Sequence, residues 1–380
     1  GLRRVPPPHH AMSTTLETLV KLPKVDLHRH LDGSVRPQTI LDLATEGGIQ
    51  LPGFEGLPSL AAVESDYYVS DECTSLLDYL RGFDISLAVM QSVPNLVRIT
   101  KEVVEDAHRD GVVYVEIRFG PQLHTREGLN EAEVVSAVAS GVEEARELYP
   151  SVSVRLILCG LRFFEPERAV ECAELFKDCP SMCVGYDLAG DELGIPNTRY
   201  RASVERAKVL GAKLTLHAGE SSGAPNVNDS LDMGAARIGH GVRIREDKAV
   251  LDRVIEEKVP LEMCVTSNQQ TKCVKGLTDH PVVQYYRMGV WTVPCTDNPV
   301  MSQVTSSSEL LKMHNGLGAT IEEMTRMQDL GALSAFICEA DRDKLRRYIL
   351  QGAVDAGCVT KEGLEAEYAK YGEVIGGIIA

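Results

Sequence analysis

Two histidines separated by one residue, His28 and His30, are the first side chains in the chain that could do chemistry. They lie in an apolar stretch that is typical of a buried strand, and side chains two residues apart in a strand point to the same side. Two imidazoles on one face can hold one metal ion. Taken alone, the pair is also compatible with two histidines that only form hydrogen bonds. Residues elsewhere in the chain are needed to distinguish this from a metal site.

Further polar side chains follow later stretches rich in Val, Ile and Leu, at the points where predicted strands end. They are Gly190 with Asp191, His217 with Glu220, His240, and Asp297 with Asn298. In a barrel of alternating strands and helices, the carboxyl ends of the strands meet at one face, where active sites lie. Four histidines, a glutamate and an aspartate at five such ends indicate a functional site.

The predicted metal ligands are His28, His30, His217 and Asp297. Three neutral imidazoles and a carboxylate suit zinc, while ligand type alone also allows iron, cobalt or manganese. A bound divalent ion can lower the pKa of water to about 7 and so supply hydroxide at neutral pH. Because catalytic zinc usually has three protein ligands, water would have to be a fifth ligand, or Asp297 would have to bind only weakly.

Glu220 is the candidate acid. It comes three residues after His217, which in a continuous strand would place the two side chains on opposite faces. Gly219 allows the sharp turn that would bring both into one cleft. Glu220 could then donate a proton to the substrate, a step worth about 10²- to 10⁴-fold in rate, provided that an apolar pocket keeps it protonated.

Eight predicted strands must position these residues. The first strand ends at His30, and the others span residues 112–119, 152–159, 183–188, 213–217, 237–240, 261–266 and 290–295. Helical patterns lie between most of them. An unbroken series of eight strand and helix units predicts a (β/α)8 TIM barrel in the α/β class.

The remaining segments are expected to surround this barrel. Residues 51–84 form the longest gap between strands and are interpreted as a helical lid, with an insertion of no functional role as the alternative. From residue 308 onward, helical patterns predict extra helices outside the barrel. Residues 1–14 are expected to be a disordered leader or an expression remnant, and residues 15–380 a single domain.

Charge and cysteine usage limit the function classes. The formal net charge is −16, whereas nucleic-acid-binding proteins usually present a basic face. The ten cysteines show no repeated spacing and no C-x-x-C, which is typical of reduced thiols in a cytoplasmic protein. No apolar run is long enough to cross a bilayer. We therefore expect no nucleic-acid or membrane partner, and the oligomeric state stays open.

The motifs around the candidate residues resemble those of the adenosine deaminase family in the amidohydrolase superfamily. They are KVDLHRHLDGS, GVVYVEIRFGP, YDLAGDE, LTLHAGE, RIGHGVRI, LEMCVTSNQQT and CTDNPVMS, and the resemblance extends from about residue 22 to the C-terminal helices. Their order and spacing are highly specific. The resemblance implies hydrolytic deamination of adenosine and 2'-deoxyadenosine to inosine and 2'-deoxyinosine, with release of ammonia.

The resemblance also implies a role for each matched residue. One zinc ion would bind His28, His30, His217 and Asp297, and hydroxide would attack the purine carbon that carries the amine. His240 and Asp297 would orient this hydroxide, Glu220 would protonate a ring nitrogen, the Gly190 amide would bind another ring nitrogen, and Asp32 would contact a ribose hydroxyl. The residues expected to contact the substrate are thus His30, Asp32, Gly190 and Asn298.

Asn298 is a departure from the family pattern, since many members carry an aspartate there. The residue is expected to donate a hydrogen bond to the imidazole-side nitrogen of the purine. An asparagine amide can always donate, whereas an aspartate can do so only when protonated. Asn298 therefore fits a purine, but it leaves the preferred purine open. The end of the fourth strand lacks the lysine that binuclear relatives use as a carbamylated bridge, which favours one metal ion over two.

Alternative functions remain at this stage. The substrate could be adenine or a 5'-modified adenosine, depending on the lid and on the surroundings of Asp32, while AMP is disfavoured because no basic phosphate cradle is evident. A catalytically silent barrel that binds nucleosides is less favoured, since the ligand and acid set is complete. Zinc deaminases that act on polynucleotides use H-x-E with P-C-x-x-C, which this chain lacks.

Several other polar residues are expected to have structural roles. Arg118 is interpreted as the partner of a buried carboxylate, and Asp191 and Glu192 as caps of the following helix. Four histidines are predicted to lie away from the site without a catalytic role: His108, His124, His280 and His314.

Overall fold

The protein is seen in a computed structural model that describes residues 14–70 and 72–379. Eight parallel strands follow one another in the order of the sequence. They are β1 (Lys24–His30), β2 (Val112–Phe119), β3 (Ser153–Leu161), β4 (Cys183–Ala189), β5 (Lys213–Ala218), β6 (Arg237–His240), β7 (Leu261–Met263) and β8 (Thr292–Pro294).

Hydrogen bonds just beyond the end of β8 close the sheet into a barrel. The His30 amide donates to the Asp297 carbonyl and the Asp297 amide donates to the His28 carbonyl, each over 2.7 Å. These bonds form a parallel bridge between Arg29 and Asp297. The predicted (β/α)8 TIM barrel is therefore confirmed, and its closing bonds join the backbones of three of the four predicted metal ligands.

Helices connect the strands and pack outside them. They are α1 (Leu16–Lys21), α2 (Pro37–Gly47), α3 (Leu60–Tyr67), α4 (Leu76–Tyr79), α5 (Phe83–Val89), α6 (Val93–Arg109), α7 (Glu131–Leu148), α8 (Pro166–Glu174), α9 (Arg201–Val209), α10 (Ala224–Asp232), α11 (Lys248–Glu256), α12 (Val265–Gln270), α13 (Val282–Arg287), α14 (Ser306–Leu317), α15 (Ile321–Ser334), α16 (Glu339–Asp355) and α17 (Lys361–Ala369). A capping box of Asn130 and Glu133 begins α7, and one of Thr320 and Glu323 begins α15.

The predicted bounds of β7 and β8 were too long. Residues 264–266 do not extend β7, because α12 begins at Val265 and the Asn268 amide donates to the Cys264 carbonyl over 2.9 Å. A short apolar run cannot by its pattern alone distinguish a strand from the start of a buried helix. In β8 the strand begins only at Thr292.

The insertion after β1 is helical, as predicted, and lies over the neighbouring end of the barrel. It contains α3, α4 and α5. The Tyr67 hydroxyl donates to the Asp32 carbonyl over 3.0 Å, and the Tyr79 hydroxyl lies 2.9 Å from the Ser302 hydroxyl. The insertion thus contacts the segments that follow both β1 and β8.

The helices from α14 onward pack outside the barrel, in agreement with the sequence. Met324, Met327 and Leu330 of α15 are buried in a cluster that includes residues from β6 and β7. The predicted leader, residues 1–14, lies outside the described residues except for Thr14, and the single domain over residues 15–380 stays a prediction. Among the described helices, none combines the length and the apolar character needed to span a bilayer.

Buried ion pairs cross the interior of the barrel, and we call their members the core network. They are Glu116, Arg118, Asp187, Arg237 and Glu262. Arg118 donates to Asp187 and to Glu262, each over 2.7 Å, which confirms its predicted role as the partner of a carboxylate. Because the network joins strands that are not neighbours in the sheet, it ties opposite walls of the barrel together.

Candidate active site

Four side chains converge where β1, β5 and β8 end. The potential ligand atoms of His28, His30, His217 and Asp297 all lie within 4.8 Å of one another. The Asp297 Oδ1 atom is 3.5 Å from His28 Nε2 and 3.3 Å from His30 Nε2. Burial lowers the pKa of His30 and of His217 below the ordinary histidine value, which favours the neutral imidazole that a metal ion requires.

Carboxylates behind two of these imidazoles fix their orientation. His28 Nδ1 is 2.9 Å from Glu262 Oε2, and His217 Nδ1 is 2.7 Å from Asp187 Oδ2. Such a carboxylate holds the ring and leaves the other nitrogen for a metal. His28 Nε2 is buried without a hydrogen-bond partner, which is costly unless a ligand satisfies it. The four residues therefore fit a divalent metal ion.

A tight turn after β5 brings Glu220 into the same cleft as His217, as the sequence predicted. Gly219 has φ +73°, and a Cβ there would lie 2.7 Å from Val227, so only glycine fits. The Glu192 carboxylate holds the turn by accepting from the Gly219 amide over 3.2 Å and from the Glu220 amide over 2.5 Å. Glu192, interpreted from the sequence as a helix cap, thus supports the turn that carries Glu220.

Glu220 is itself buried, and its Oε1 atom has no hydrogen-bond partner. Its Oε2 atom lies 3.6 Å from His240 Nε2. Burial, together with the negative charges of Asp297 and Glu192, raises the pKa of Glu220 well above the ordinary value. This shift favours the protonated form of the side chain, in which Glu220 can act as an acid.

His240 and Asp297 both have left-handed backbone conformations. Their φ angles are +66° and +62°, which is rare for residues that have a Cβ and is often found at functional sites. The rings of His240 and His28 are 4.8 Å apart between centroids. Burial lowers the pKa of His240 well below the ordinary value. The strained backbone directs both side chains toward the ligand cluster.

The residues expected to contact a substrate lie beside this cluster. Asp32 Oδ1 and Asn298 Oδ1 are buried without hydrogen-bond partners. His30 Nδ1 is 4.0 Å from Asp32 Oδ1, and burial raises the pKa of Asp32 to about 7. Gly190, at the end of β4, has φ +91°, and Arg162 donates to its carbonyl over 2.7 Å. The unpartnered oxygens of Asp32 and Asn298 are therefore free to bond to a ligand.

Several residues that support the site were not identified from the sequence. They are Asp187, Glu192, Glu262, Ser267 and Asn268. Ser267 donates to Asp297 Oδ2 over 2.6 Å, and Asn268 bonds to His240. Asp187 on β4 and Glu262 on β7 could have been identified from the sequence, because a charge inside an apolar strand requires a buried partner. Ser267 and Asn268 gave no such signal, because they lie just beyond the predicted strand 261–266 and the start of α12 was not predicted.

The four histidines set aside in the sequence differ in their surroundings. His108 and His314 bond to Ser151 and to the Ala319 carbonyl, and buried His124 bonds to the Met90 carbonyl. His280 is also buried, but its Nε2 atom lies 3.2 Å from Asn268 Oδ1, and Asn268 in turn bonds to His240. The prediction that His280 lies away from the site therefore needs correction.

Comparisons with known proteins agree with this geometry. A sequence model of one family, described as adenosine deaminase, matches residues 23–351. The adenosine deaminase of Clostridium acetobutylicum is 38% identical over 324 residues, which cover 85% of this chain and 96% of that protein. A probable adenosine deaminase of Dictyostelium discoideum is 36% identical over 335 residues, 88% of this chain, but the match spans only 43% of that longer protein.

A solved structure supports the same assignment. The adenine deaminase of Arthrobacter aurescens superposes with a TM-score of 0.80 at 28% identity, and the match covers 87% of this chain and 98% of that one. Together with the family match over residues 23–351, these similarities show that the chain belongs to the adenosine deaminase family.

Proposed function

We propose that this protein is a zinc-dependent enzyme that hydrolyses adenosine and 2'-deoxyadenosine to inosine and 2'-deoxyinosine with release of ammonia. The observation that carries the proposal is the position of Glu220 beside the ligand cluster, with an unpartnered oxygen in the same buried cleft; burial raises the pKa of this carboxyl. An acid next to a site that can activate water is what hydrolysis of an amidine carbon requires.

His28, His30, His217 and Asp297 would hold one zinc ion. Zinc, when bound, supplies a water molecule that ionises near neutral pH and can attack carbon. Ser267 holds one oxygen of Asp297 by a hydrogen bond of 2.6 Å, and the other oxygen faces the two histidines of β1. This arrangement fixes the ligands before substrate binds.

Glu220 would donate its proton to a nitrogen of the purine ring, so that electrons of the attacked ring can move to that nitrogen. Its carboxyl is held by the turn that Glu192 fixes. His240, on the other side of Glu220, would orient the attacking water together with Asp297. The exclusion of solvent from these buried groups strengthens each electrostatic contact.

The substrate would be held by polar groups that lie beside the ligand cluster. Asp32 would contact a ribose hydroxyl, the Gly190 amide would bind one ring nitrogen, and Asn298 would donate to the imidazole side of the purine. His30 would line the same space. A site that bonds a hydroxyl can reject an analogue without it by about 10⁴- to 10⁵-fold, so Asp32 would favour the nucleoside over the free base.

A second candidate is the deamination of adenine or of a 5'-modified adenosine. It is favoured by the structural match to an adenine deaminase and by Asn298, where many family members carry aspartate. A nucleoside-binding barrel without catalytic activity is less favoured, because the four potential ligands lie within 4.8 Å of one another and Glu220 lies 3.6 Å from His240. A cytoplasmic location, and a single domain over residues 15–380, remain parts of the proposal that rest on the sequence.

The test is turnover of a panel by the zinc-loaded protein, followed by ammonia release and by the ultraviolet change of the purine. The panel contains adenosine, 2'-deoxyadenosine, adenine, AMP and 5'-substituted adenosines. We expect rapid loss of the first two and little reaction of adenine. Removal of the metal with a chelator should abolish turnover, and added zinc should restore it. Turnover of adenine alone would show that adenine, and not adenosine, is the substrate. No turnover of any compound at full metal content would contradict the proposed chemistry.

A further inference from the structure

The second ring nitrogen of His240 is connected to the backbone of α13 through two buried side chains. His240 Nδ1 lies 3.0 Å from Asn268 Nδ2, and Asn268 Oδ1 lies 3.2 Å from His280 Nε2. The Val282 amide then donates to His280 Nδ1 over 3.3 Å. All three side chains are at most 4% exposed. We call Asn268 and His280 the relay pair.

A backbone N–H can only donate, and this fixes every hydrogen in the chain of bonds. His280 Nδ1 must accept from the Val282 amide, so the ring hydrogen of His280 lies on Nε2. That hydrogen requires an acceptor, which must be the oxygen of the Asn268 amide. The Asn268 NH₂ group therefore faces His240, and His240 Nδ1 must accept. The assignment does not depend on how the amide was oriented, because the reverse orientation would place two donors face to face.

We propose that the relay pair are positioning residues that lock His240 in the tautomer with its hydrogen on Nε2. The consequence for catalysis rests on the proposed function: His240 Nε2, 3.6 Å from Glu220, donates a hydrogen bond toward the attacking water and does not accept its proton. His240 then orients the water, and the proton of the water must go to another group. Asp297, whose Oδ1 lies beside the two histidines of β1, is the nearby carboxylate that can accept it.

The surroundings of His280 agree with this assignment. Burial, with the positive charge of Arg245 as a smaller cause, lowers the pKa of His280 to about 3. The ring is thus neutral near pH 7 and has one nitrogen that donates and one that accepts. If the relay pair served only to fill space, the direction of its hydrogen bonds would not matter for His240.

The direct test is a nitrogen NMR measurement on zinc-loaded protein labelled with ¹⁵N-histidine, with the His240 signals assigned by their loss in His240→Gln. Histidine ring nitrogens with and without a hydrogen have clearly separate shifts. We expect His240 Nδ1 to lack a hydrogen and Nε2 to carry one. A hydrogen on His240 Nδ1 would overturn the proposal. This measurement needs no turnover, so its result is independent of the substrate.

Variants of Asn268 test the consequence for catalysis. Asn268→Asp presents only acceptors and should move the hydrogen of His240 to Nδ1, with a fall in kcat of at least about 100-fold, because a wrong histidine tautomer can cost about 10⁴-fold in serine proteases. Asn268→Leu should no longer fix either tautomer of His240. It should lower kcat, with KM and zinc content nearly unchanged. Gln269→Leu is the control, because it replaces the neighbouring amide side chain on α12 by leucine. It should keep the wild-type tautomer and kcat.

The results separate the two proposals. An unchanged His240 tautomer in Asn268→Asp, with the protein folded by thermal melting, would contradict the relay. Wild-type kcat in both Asn268 variants would also contradict it. Failure of the wild-type protein to deaminate any purine would instead refute the proposed function, while the NMR result would still decide the tautomer.

Discussion

The core network and the site at the ends of β1, β5 and β8 are both buried and rich in charge, but they differ in how their polar atoms are paired. In the core network, each guanidinium and each carboxylate has an ion-pair partner. At the site, polar atoms of His28, Asp32, Glu220 and Asn298 lack any hydrogen-bond partner. Since an unpaired buried polar atom costs about 1–3 kcal/mol, the site carries a cost that a ligand could remove, whereas in the core network only the Arg118 Nε atom lacks a partner.

This comparison separates two kinds of substitution. Changes at the site should mainly reduce turnover, because the groups there contribute little to the stability of the folded chain. Changes of the arginines in the core network should mainly reduce stability, because each removes the partner of a buried charge, whereas Asp187 and Glu262 also hold His217 and His28. Four predictions, from the largest expected effect to the smallest, test the distinction.

The largest effect is expected for Glu220→Gln. The amide cannot supply the proton, so kcat should fall by about 10²- to 10⁴-fold, with zinc content and melting temperature close to the wild-type values. The measurement is adenosine turnover together with metal analysis of the purified protein. Glu257→Gln, an exposed change of the same type, should leave turnover unchanged. Full activity of the Glu220→Gln variant would show that Glu220 is not the acid.

In the core network, Arg237→Met should cost stability. It leaves Glu116 and Glu262 without the guanidinium that now bonds to both, and breaking a buried pair in this way costs about 3–5 kcal/mol. Urea unfolding of the zinc-loaded protein measures the loss. Arg253→Met instead removes a partly exposed ion-pairing side chain at the surface and should cost about 1 kcal/mol or less. Equal losses in the two variants would show that the network does not stabilise the fold.

A smaller effect is expected for Ser267→Ala. The change removes the hydrogen bond that holds Asp297 Oδ2, and loss of such a support typically costs about 10- to 100-fold in metal affinity or activity. Competition with a chelator measures the zinc affinity. Ser140→Ala, on the exposed face of α7, is the control. Unchanged zinc affinity and kcat would mean that Asp297 needs no support from α12.

The smallest effect of the four is expected for Asn298→Asp, and it should depend on pH. The new carboxyl can donate to a purine only while it is protonated. Turnover should therefore stay near the wild-type level below the pKa of the new carboxyl and fall as the pH rises through it, whereas the wild-type protein should show no such fall in that range. The kcat/KM profile against pH measures this. Identical profiles would show that residue 298 does not donate to the substrate.

The sequence predicted the barrel and the positions of the site residues for a clear physical reason. Strand ends in a barrel meet at one face, so residues as far apart as His28 and Asp297 could be placed together from their order alone. The turn at Gly219 was predicted as well, because only such a turn brings Glu220 to the side of His217. The relationship to the family added roles that pattern alone does not give.

The parts that were not predicted depend on contacts between distant segments. Glu192 was interpreted as a cap, but its carboxylate binds the turn before Glu220. His280 was set aside because it lies in a loop, and its link to His240 requires α12 to place Asn268 between them. No local pattern shows such a link, and the mistaken extension of β7 over residues 264–266 concealed it further.

The measurement that tests the central claim most directly is the crystal structure of zinc-loaded Glu220→Gln soaked with adenosine. The slow variant should hold intact substrate. We predict one metal ion bound by His28, His30, His217 and Asp297, and a purine with one ring nitrogen facing position 220 and its ribose at Asp32. A metal ion outside this cluster, or adenosine bound elsewhere on the protein, would contradict the account.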